Sequence, residues 1–279
     1  MRTNLLGRLS AGMKIAIVFA LLALALFPLY FMFVTSLKSK EDYTYNYFLP
    51  PLQGIQWGNW ARVIPGVIAP IGNSAIVAGG AVLVVLLCAI PAAYVFAWHR
   101  FPGKERIYAA TIVTIMFPAI IILVPQFVLV KEMGLLDTLP GAYLPIAAAN
   151  IGVAVFLLRS FFVALPLELI EAARIDGASE MTILRRIVLP LSVPAVITVC
   201  VFVVVAAWNN FLWPLVVLPS AANRTASVAA TFFAGDPTYG SSLPILMAAY
   251  MVVSLPLMLI LAGLLRYFMA GQLQGAVKG

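Results

Sequence analysis

One segment, residues 160–193, combines carboxylates and small side chains at spacings that could build a binding surface. From Pro166 to Ile175, apolar residues alternate with Glu168 and Glu171. This stretch predicts a short helix, because proline suits the first turn and the apolar residues recur at helical spacing. No catalytic pair accompanies the carboxylates, so the chemistry they offer is recognition of another protein rather than bond cleavage.

A glycine turn and a second short helix are predicted in the same segment. Gly177 can adopt a positive φ, so the pair Asp176-Gly177 indicates a break after the first helix. The second helix is predicted over residues 181–189, capped by Asp176 or Ser179 and ended by Pro190. Its apolar residues share one side, opposite Arg185 and Arg186: Ile183, Leu184, Ile187 and Val188. Such a pair forms either a rigid knob that docks onto a soluble partner or a hairpin that lies on lipid headgroups.

The composition shows what must hold this segment in place. Of the 279 residues, 63% are apolar and 10% are charged, and the mean hydropathy is +1.06. So few charges cannot supply the polar shell of a water-soluble domain of this length. A bundle of membrane-spanning helices needs polar residues only at its ends, so the composition predicts an all-α membrane protein.

Six apolar runs are long enough to cross a bilayer as helices. They lie at about 14–35, 73–98, 107–130, 143–158, 194–215 and 244–267. The first run continues to Val34, which is too long for the apolar region of a cleaved signal peptide. We therefore expect one transmembrane domain over 1–279, with six transmembrane helices.

The distribution of lysine and arginine predicts the orientation, because short cytoplasmic loops retain positive charge. One face of a six-span bundle collects twelve of the 17: Arg2, Arg8, Lys14, Arg100, Lys104, Arg106, Arg159, Arg174, Arg185, Arg186, Arg266 and Lys278. The other face collects five: Lys38, Lys40, Arg62, Lys131 and Arg224. Both termini and the segment 160–193 are therefore predicted to be cytoplasmic. The net charge of +7 reflects this topology and does not indicate nucleic-acid binding.

The middles of the six spans contain amides but no aspartate, glutamate, lysine or arginine. This absence argues against a proton- or ion-coupled secondary transporter. The amides are Gln126, Asn150, Asn209 and Asn210. They are candidates for lining a pathway for a neutral, polyhydroxylated solute, because an amide both donates and accepts hydrogen bonds. They serve equally well as hydrogen-bonding contacts between helices.

The chain offers no motif for a metal or for ATP. Cys88 and Cys200 lie within apolar runs, where a free thiol behaves as a small hydrophobe, and His99 is the single histidine. Gly103-Lys104 lacks the first glycine of the phosphate-binding GxxxxGKS/T loop. We expect no metal, no cofactor and no ATP hydrolysis by this chain alone.

Two stretches of the segment 160–193 resemble a known motif. Residues 171–178 read Glu-Ala-Ala-Arg-Ile-Asp-Gly-Ala and residues 189–194 read Leu-Pro-Leu-Ser-Val-Pro. Together they resemble the EAA loop of ABC-importer permeases, which has an aromatic residue where this chain has Leu184. Residues 208–215 and 275–279 are similar to segments of the maltose-type sugar permeases, in which an acidic residue is common at the position of Asn210. The resemblance covers nearly the whole chain and implies the type I ABC-importer permease fold.

The resemblance implies roles for residues of the EAA loop, as we call residues 160–193 from here on. In the family, this loop forms a coupling helix that fits a cleft on a cytoplasmic ATPase. Glu171 is then expected to pair with a basic residue of the ATPase, Gly177 to permit the turn and Asp176 to fix it by hydrogen bonding. The motif's remaining members are expected to allow close docking or to shape the loop: Ala172, Ala173, Ala178 and Pro190. The C-terminal residues expected to contact the ATPase subunits are Gln272, Gly275 and Lys278.

The resemblance also implies partners, a substrate class and a location. The expected partners are a second permease subunit, two ATPase subunits that bind the ATP, membrane lipid, and an extracytoplasmic solute-binding protein that touches the loop 218–243. The expected solute is a sugar or oligosaccharide, and the expected location is the cytoplasmic membrane of a bacterium or archaeon. Import of a charged solute, such as a glycerol phosphate or an acidic oligosaccharide, is an alternative. A non-transporting membrane scaffold is a further one.

Overall fold

The computed structural model describes residues 11–233 and 242–276, and it describes side chains for residues 12–233 and 242–263. The helices of the first half are α1 (Ala11–Ser36), α2 (Lys40–Tyr45), α3 (Gly58–Trp98), α4 (Lys104–Val113), α5 (Ala119–Glu132) and α6 (Leu139–Val163). Those of the second half are α7 (Leu167–Ile175), α8 (Glu180–Ile183), α9 (Leu189–Leu191), α10 (Val193–Trp208), α11 (Leu212–Val217), α12 (Ala226–Phe232) and α13 (Leu243–Ala276). A 3₁₀ turn, Thr114–Met116, follows α4, and a π-helical stretch, Leu184–Val188, joins α8 to α9.

Four of the described helices are long and apolar enough to cross a membrane unbroken, namely α1, α3, α6 and α13. Two bent pairs meet the same test: α4 with its 3₁₀ turn plus α5, and the helix Glu180–Leu191 plus α10. By length and composition alone, the described residues thus give six spans if each bent pair counts as one. The helix Glu180–Leu191 carries the exposed Arg185 and Arg186 and lies in the segment 160–193, so we take α10 as the membrane-spanning part of its pair. The expected shortest span, 143–158, belongs to the 25-residue α6, and the expected span 73–98 is the second part of the 41-residue α3.

The expected span 107–130 is not one continuous helix, because α4 and α5 meet at an angle of 100°. Phe117 is extended, with ψ of 119°, and Pro118 has ψ of 127°. A residue that precedes proline is disfavoured in the α-helical region, and proline has no amide to continue the ladder. The bend therefore follows from this dipeptide. The expected span 194–215 is interrupted too, since α10 ends at Trp208 and α11 begins at Leu212.

Unit 1 of the two compact units comprises the described residues up to Val67 together with Ala230–Ser254. Its best-defined feature is the connection after α1, which encloses the fully buried Lys38. The ammonium group of Lys38 donates to the carbonyls of Asn46 and Tyr47, and the amide of Asn59 donates to the carbonyls of Ser36 and Lys38 at 2.9 Å each. Burial lowers the pKa of Lys38. These bonds fix the connection because a buried charge must be satisfied by hydrogen bonds.

Unit 2 comprises the described residues from Ile68 to Ala229 and from Leu255 onward, and it contains the larger core. Small side chains let its helices approach closely, as is usual between helices in membranes. Ala81, Ala89, Ala147 and Ala154 are fully buried. A Cβ added to Gly152 of α6 would lie 2.7 Å from the carbonyl oxygen of Thr111 in α4. The EAA loop and the cavity described below both belong to this unit.

Candidate functional site

The EAA loop folds as two short helices joined by a glycine turn. The amide of Gly177 donates to the carbonyl of Arg174 at 3.1 Å, and the amide of Ala178 donates to the carbonyl of Ala173 at 3.0 Å. This pair of bonds is the Schellman motif, which ends a helix with one residue in the left-handed region. Gly177 is that residue, with φ of +78°. Asp176 occupies the cap position before it, and its amide donates to the carbonyl of Ala172.

The second helix begins at Glu180 and is capped by Ser179. The Ser179 hydroxyl accepts the amide of Thr182 at 3.3 Å, so it is Ser179 rather than Asp176 that provides the cap. The helix does not end at Pro190 as the sequence indicated; it continues to Leu191 and then bends by 79° into α10. Before the proline, the amide of Leu189 bonds to the carbonyl of Leu184, five residues back. Because Pro190 has no amide to continue the α-helical hydrogen bonds, the backbone before it forms a local π-helical turn instead.

One side of the EAA loop is anchored in the protein core and the other is exposed. Ile170 is 1% exposed, and Ala173 and Ala178 pack against the same core. The apolar side of the second helix is buried too, through Ile183, Leu184 and Val188. The outward residues are Glu171, Ala172, Ile175, Asp176 and Gly177. Ile175, at the end of α7, is 86% exposed.

A cluster of polar side chains is centred on Glu180, the first residue of the helix that follows the turn. Arg174 donates to its carboxylate from Nε at 2.8 Å and from Nη2 at 3.2 Å. Tyr94, in the last turns of α3, donates its hydroxyl to Oε2 at 2.5 Å. His99 Nε2 lies 3.6 Å from the same oxygen. The sequence interpretation gave none of these four residues a role in the site.

The charges of the cluster are stabilised by one another. The hydrogen bonds from Arg174, followed by that from Tyr94, hold the pKa of Glu180 below its ordinary value, although burial opposes them. The same bond raises the pKa of Arg174. A bidentate pair between a guanidinium and a carboxylate fixes both side chains in orientation as well as in charge.

The end of α3 that carries Tyr94 is itself tied to α6. Arg159 of α6 donates from Nε to the carbonyl of Phe96 at 3.0 Å. The rings of Trp98 and Phe162 stack at 5.8 Å with an interplanar angle of 9°. The Glu180 cluster therefore joins the EAA loop to the packed ends of α3 and α6.

An open cavity of about 650 Å³ lies where the bent pair of α4 and α5 faces α6. Its lining is mostly apolar, and Gln126 and Thr114 contribute polar side chains. None of the side chains described around it is charged: Thr114, Ile115, Phe117, Ala119, Ile122, Pro125, Gln126, Leu129, Val130, Met133, Leu135, Leu144, Pro145, Ala148 and Ala149. Of the four amides singled out from the sequence, Gln126 alone is among these lining residues.

The three asparagines do not line this cavity, and the side chains of two of them bond to nearby backbone groups. The amide of Asn150 donates to the carbonyl of Ile146, one turn back in its own helix, at 2.7 Å. Asn209 caps the end of α10 and is exposed. Asn210 caps α11, since its side-chain oxygen accepts the amide of Trp213 at 3.3 Å. Of the pathway candidates, Gln126 thus lines the cavity, Asn150 and Asn210 bond to nearby backbone groups, and Asn209 is exposed at the end of α10.

The described part of the connection after α11 is held by Asp137, which the sequence interpretation did not single out. Asp137 has φ of +58°, uncommon for a residue other than glycine. Its side chain accepts both the amide and the hydroxyl of Ser220, at 3.2 and 2.9 Å, and its carbonyl accepts the amide of Asn223 at 2.7 Å. Asn73 of α3 donates to the carbonyl of Ala222 at 2.8 Å. Residues 234–241 of the loop 218–243 lie outside the described residues.

The C-terminal candidates fall at the edge of what the structure describes. Gln272 and Gly275 lie in α13, which extends to Ala276, and their side chains lie outside the described set. Lys278 lies outside the described residues altogether.

Comparison with known proteins identifies the class to which this helical membrane fold belongs. The family model described as "Binding-protein-dependent transport system inner membrane component" matches residues 86–273, which is 188 of the 279 residues of the chain. The chain belongs to this family of ABC-transporter permeases, as its resemblance to the EAA-loop permeases indicated. It is a multi-pass membrane component and not itself a catalytic enzyme.

Individual relatives and one solved structure agree with this assignment. The trehalose transport system permease protein SugB of Mycobacterium tuberculosis is 31% identical over 91% of this chain and 93% of its own. The melibiose/raffinose/stachyose import permease protein MelC of Bacillus subtilis is 32% identical over 95% of this chain and 96% of its own. A crystal structure of a bacterial ABC transporter that imports the acidic polysaccharide alginate includes a chain with a TM-score of 0.78 and 24% identity. That match covers 93% of this chain and 99% of the other, and it shows a shared fold.

Proposed function

We propose that this chain is a permease subunit of an ATP-driven importer and that its EAA loop couples it to a cytoplasmic ATPase. The observation that carries the proposal is the two-sided EAA loop. Its inner side is locked to the core through Ile170, while its outer side presents Glu171, Ala172 and Gly177 around a rigid turn. A loop that is fixed to the core on one side can transmit a movement imposed by a partner, because it does not deform locally.

The alternative of a hairpin lying on lipid headgroups is less well supported. Such a hairpin buries its apolar face in lipid and carries lysine and arginine on its polar face. Here Ile170, Ile183 and Val188 are buried inside the protein, so the apolar face that such a hairpin would place in lipid is already covered. The exposed charges of the loop are mixed, with Glu168 and Glu171 on α7 and Arg185 and Arg186 on the second helix.

The proposed arrangement places both termini and the EAA loop in the cytoplasm of a bacterium or archaeon. A second permease subunit supplies the other half of the pathway, and two ATPase subunits bind the ATP. The C-terminal residues Gln272, Gly275 and Lys278 contact these ATPases. An extracytoplasmic solute-binding protein delivers the solute at the face that carries the loop 218–243.

We propose a neutral sugar or oligosaccharide as the solute. The two relatives named above are named for trehalose and for melibiose, raffinose and stachyose. The uncharged lining of the cavity beside Gln126 supports a neutral solute over a glycerol phosphate or an acidic oligosaccharide. A charged solute would need a compensating charge when it leaves water.

Co-purification of the ATPase with this chain tests the proposed coupling role. The wild-type chain is compared with Glu171→Ala and with Glu105→Gln, which alters an exposed carboxylate in the first turn of α4. Truncation of one partner of a buried interfacial charge pair costs about 2–5 kcal/mol, so Glu171→Ala should release the ATPase while Glu105→Gln retains it. Equal recovery of the ATPase with all three chains would contradict the role of Glu171.

A further inference from the structure

The carboxylate of Glu180 links the EAA loop directly to a membrane-spanning helix. Its partner in α3 is Tyr94, which lies 86 residues earlier in the sequence. Its partner in α7 is Arg174, on the other side of the Asp176-Gly177 turn. One side chain therefore bonds both helices of the EAA loop to the end of α3.

The chain's own backbone offers a less direct route from the loop to the membrane. The second helix passes through the π-helical stretch Leu184–Val188 and Pro190, then turns by 79° into α10. A bent and irregular helix absorbs displacement at its bend. The contact through Tyr94 avoids this bend, and it reaches an end of α3 that Arg159 and Phe162 already fix to α6.

We propose that Glu180 is a positioning residue that makes the EAA loop and the end of α3 move together when the ATPase pushes on the loop. This inference rests on the proposed function, because it presumes that an ATPase engages the loop. The ATPase contacts the exposed residues of the loop and displaces it, and the Glu180 cluster transmits this displacement to α3 and α6. Arg174 holds the carboxylate in place, and Tyr94 is the receiving residue.

A substitution at Tyr94 can distinguish a positioning role of Glu180 from a role in docking the ATPase. Tyr94 is 4% exposed, so it is not available to an ATPase. Tyr94→Phe removes the hydroxyl that bonds Glu180 and keeps the ring, which packs edge-on against Trp98 at 5.1 Å. The matched control is Tyr108→Phe, because Tyr108 is also buried and packs on Phe96 at 5.4 Å.

The test measures the distance between two spin labels within this chain in the assembled complex. The labels are placed at Leu167→Cys, on the exposed start of α7, and at Arg100→Cys, just beyond α3, in a chain whose Cys88 and Cys200 are replaced by alanine. The complex is measured without nucleotide and after trapping with ATP and vanadate. The wild-type chain and Tyr108→Phe should keep the same distance in both states.

Tyr94→Phe and Glu180→Gln should retain the ATPase, yet the label distance should change by about 2 Å on trapping, the size of helix shifts at subunit interfaces. The inference is overturned if both variants keep the wild-type distance in both states, or if the wild-type distance itself changes on trapping. Loss of the ATPase from Glu180→Gln alone would show that Glu180 is a docking residue, and would also overturn it. Failure of the proposed function is a different result, namely normal ATPase recovery with Glu171→Ala.

Discussion

Arg174 and Glu180 lie on opposite sides of the Asp176-Gly177 turn, and two hydrogen bonds of 2.8 and 3.2 Å join their side chains. The pair links the two helices across the turn, and the carboxylate of Glu171 is exposed nearby in the sequence. A turn that is closed by a Schellman motif along the backbone and by an ion pair between side chains has few ways to deform. This rigidity is what a docking element needs in order to pass movement onward.

The predicted topology can be read from labelling of single cysteines. Ile175 and Tyr45 are each 86% exposed, and the positive-inside distribution predicts that they face opposite sides of the membrane. In a chain without Cys88 and Cys200, a membrane-impermeant maleimide should label Tyr45→Cys in intact cells and Ile175→Cys in inside-out vesicles only. Labelling of both from the same side would contradict the orientation.

Gly177 and Gly103 offer a matched pair that separates a conformational requirement from a functional one. Their φ angles are +78° and +79°, and a Cβ on either would meet no atom within 4 Å. Each change to alanine should therefore lower stability by a similar amount, about 1–2 kcal/mol. Melting temperatures of the two purified variants test this. Only Gly177→Ala should weaken ATPase binding, and equal loss of binding by Gly103→Ala would contradict a specific role for the Gly177 turn.

The Glu180 cluster predicts a dependence of stability on pH. The pKa of Glu180 is lowered in the folded chain, so its contribution is complete above its ordinary value of 4.5 and is lost as the pH falls through the lowered value. The wild-type melting temperature should therefore exceed that of Glu180→Gln at neutral pH, and the difference should shrink below pH 4.5. A difference that grows in acid would contradict the direction of the shift.

Gln126 and Asn150 should differ in their effect on transport. Gln126 lines the cavity of about 650 Å³, whereas the Asn150 amide is bonded within its own helix. Gln126→Leu should reduce solute uptake with the complex intact, because one hydrogen bond to a solute is worth about 0.5–1.5 kcal/mol, or about two- to tenfold. Asn150→Leu should have a smaller effect. The reverse order in an uptake assay would contradict the assignment of the cavity to the pathway.

The parts of the fold that could be predicted are those that depend on one residue type or on one long apolar run. Only glycine adopts positive φ without strain, so Gly177 indicated its turn directly. The run at 73–98 was long enough to predict a spanning helix from its length alone, and it lies within α3. The bend at Pro118 could not be predicted in this way, because Pro65 and Pro70 of α3 lie inside an uninterrupted helix. Tertiary packing decides whether proline breaks a span.

The Glu180 cluster and Asp137 were missed for a different reason. Tyr94 and Glu180 are separated by 86 residues, and no local pattern reports a contact at that separation. Asp137 adopts a left-handed conformation that is uncommon outside glycine, and its bonds to Ser220 and Asn223 hold it there. In the sequence, Arg174 was interpreted only as one of the positive charges that predict the orientation. Its pairing with Glu180, six residues ahead, was not predicted.

The most direct test of the central claim is ATP-dependent uptake by vesicles that contain the full complex, with radiolabelled trehalose and raffinose as first solutes. Wild type is compared with Glu171→Ala and Gly177→Asp after the amount of assembled permease in the membrane has been matched. The account predicts that both variants reach the membrane and lose uptake, with release of the ATPase or ATP hydrolysis that moves no solute. Wild-type uptake by both variants would show that the EAA loop does not couple this chain to an ATPase.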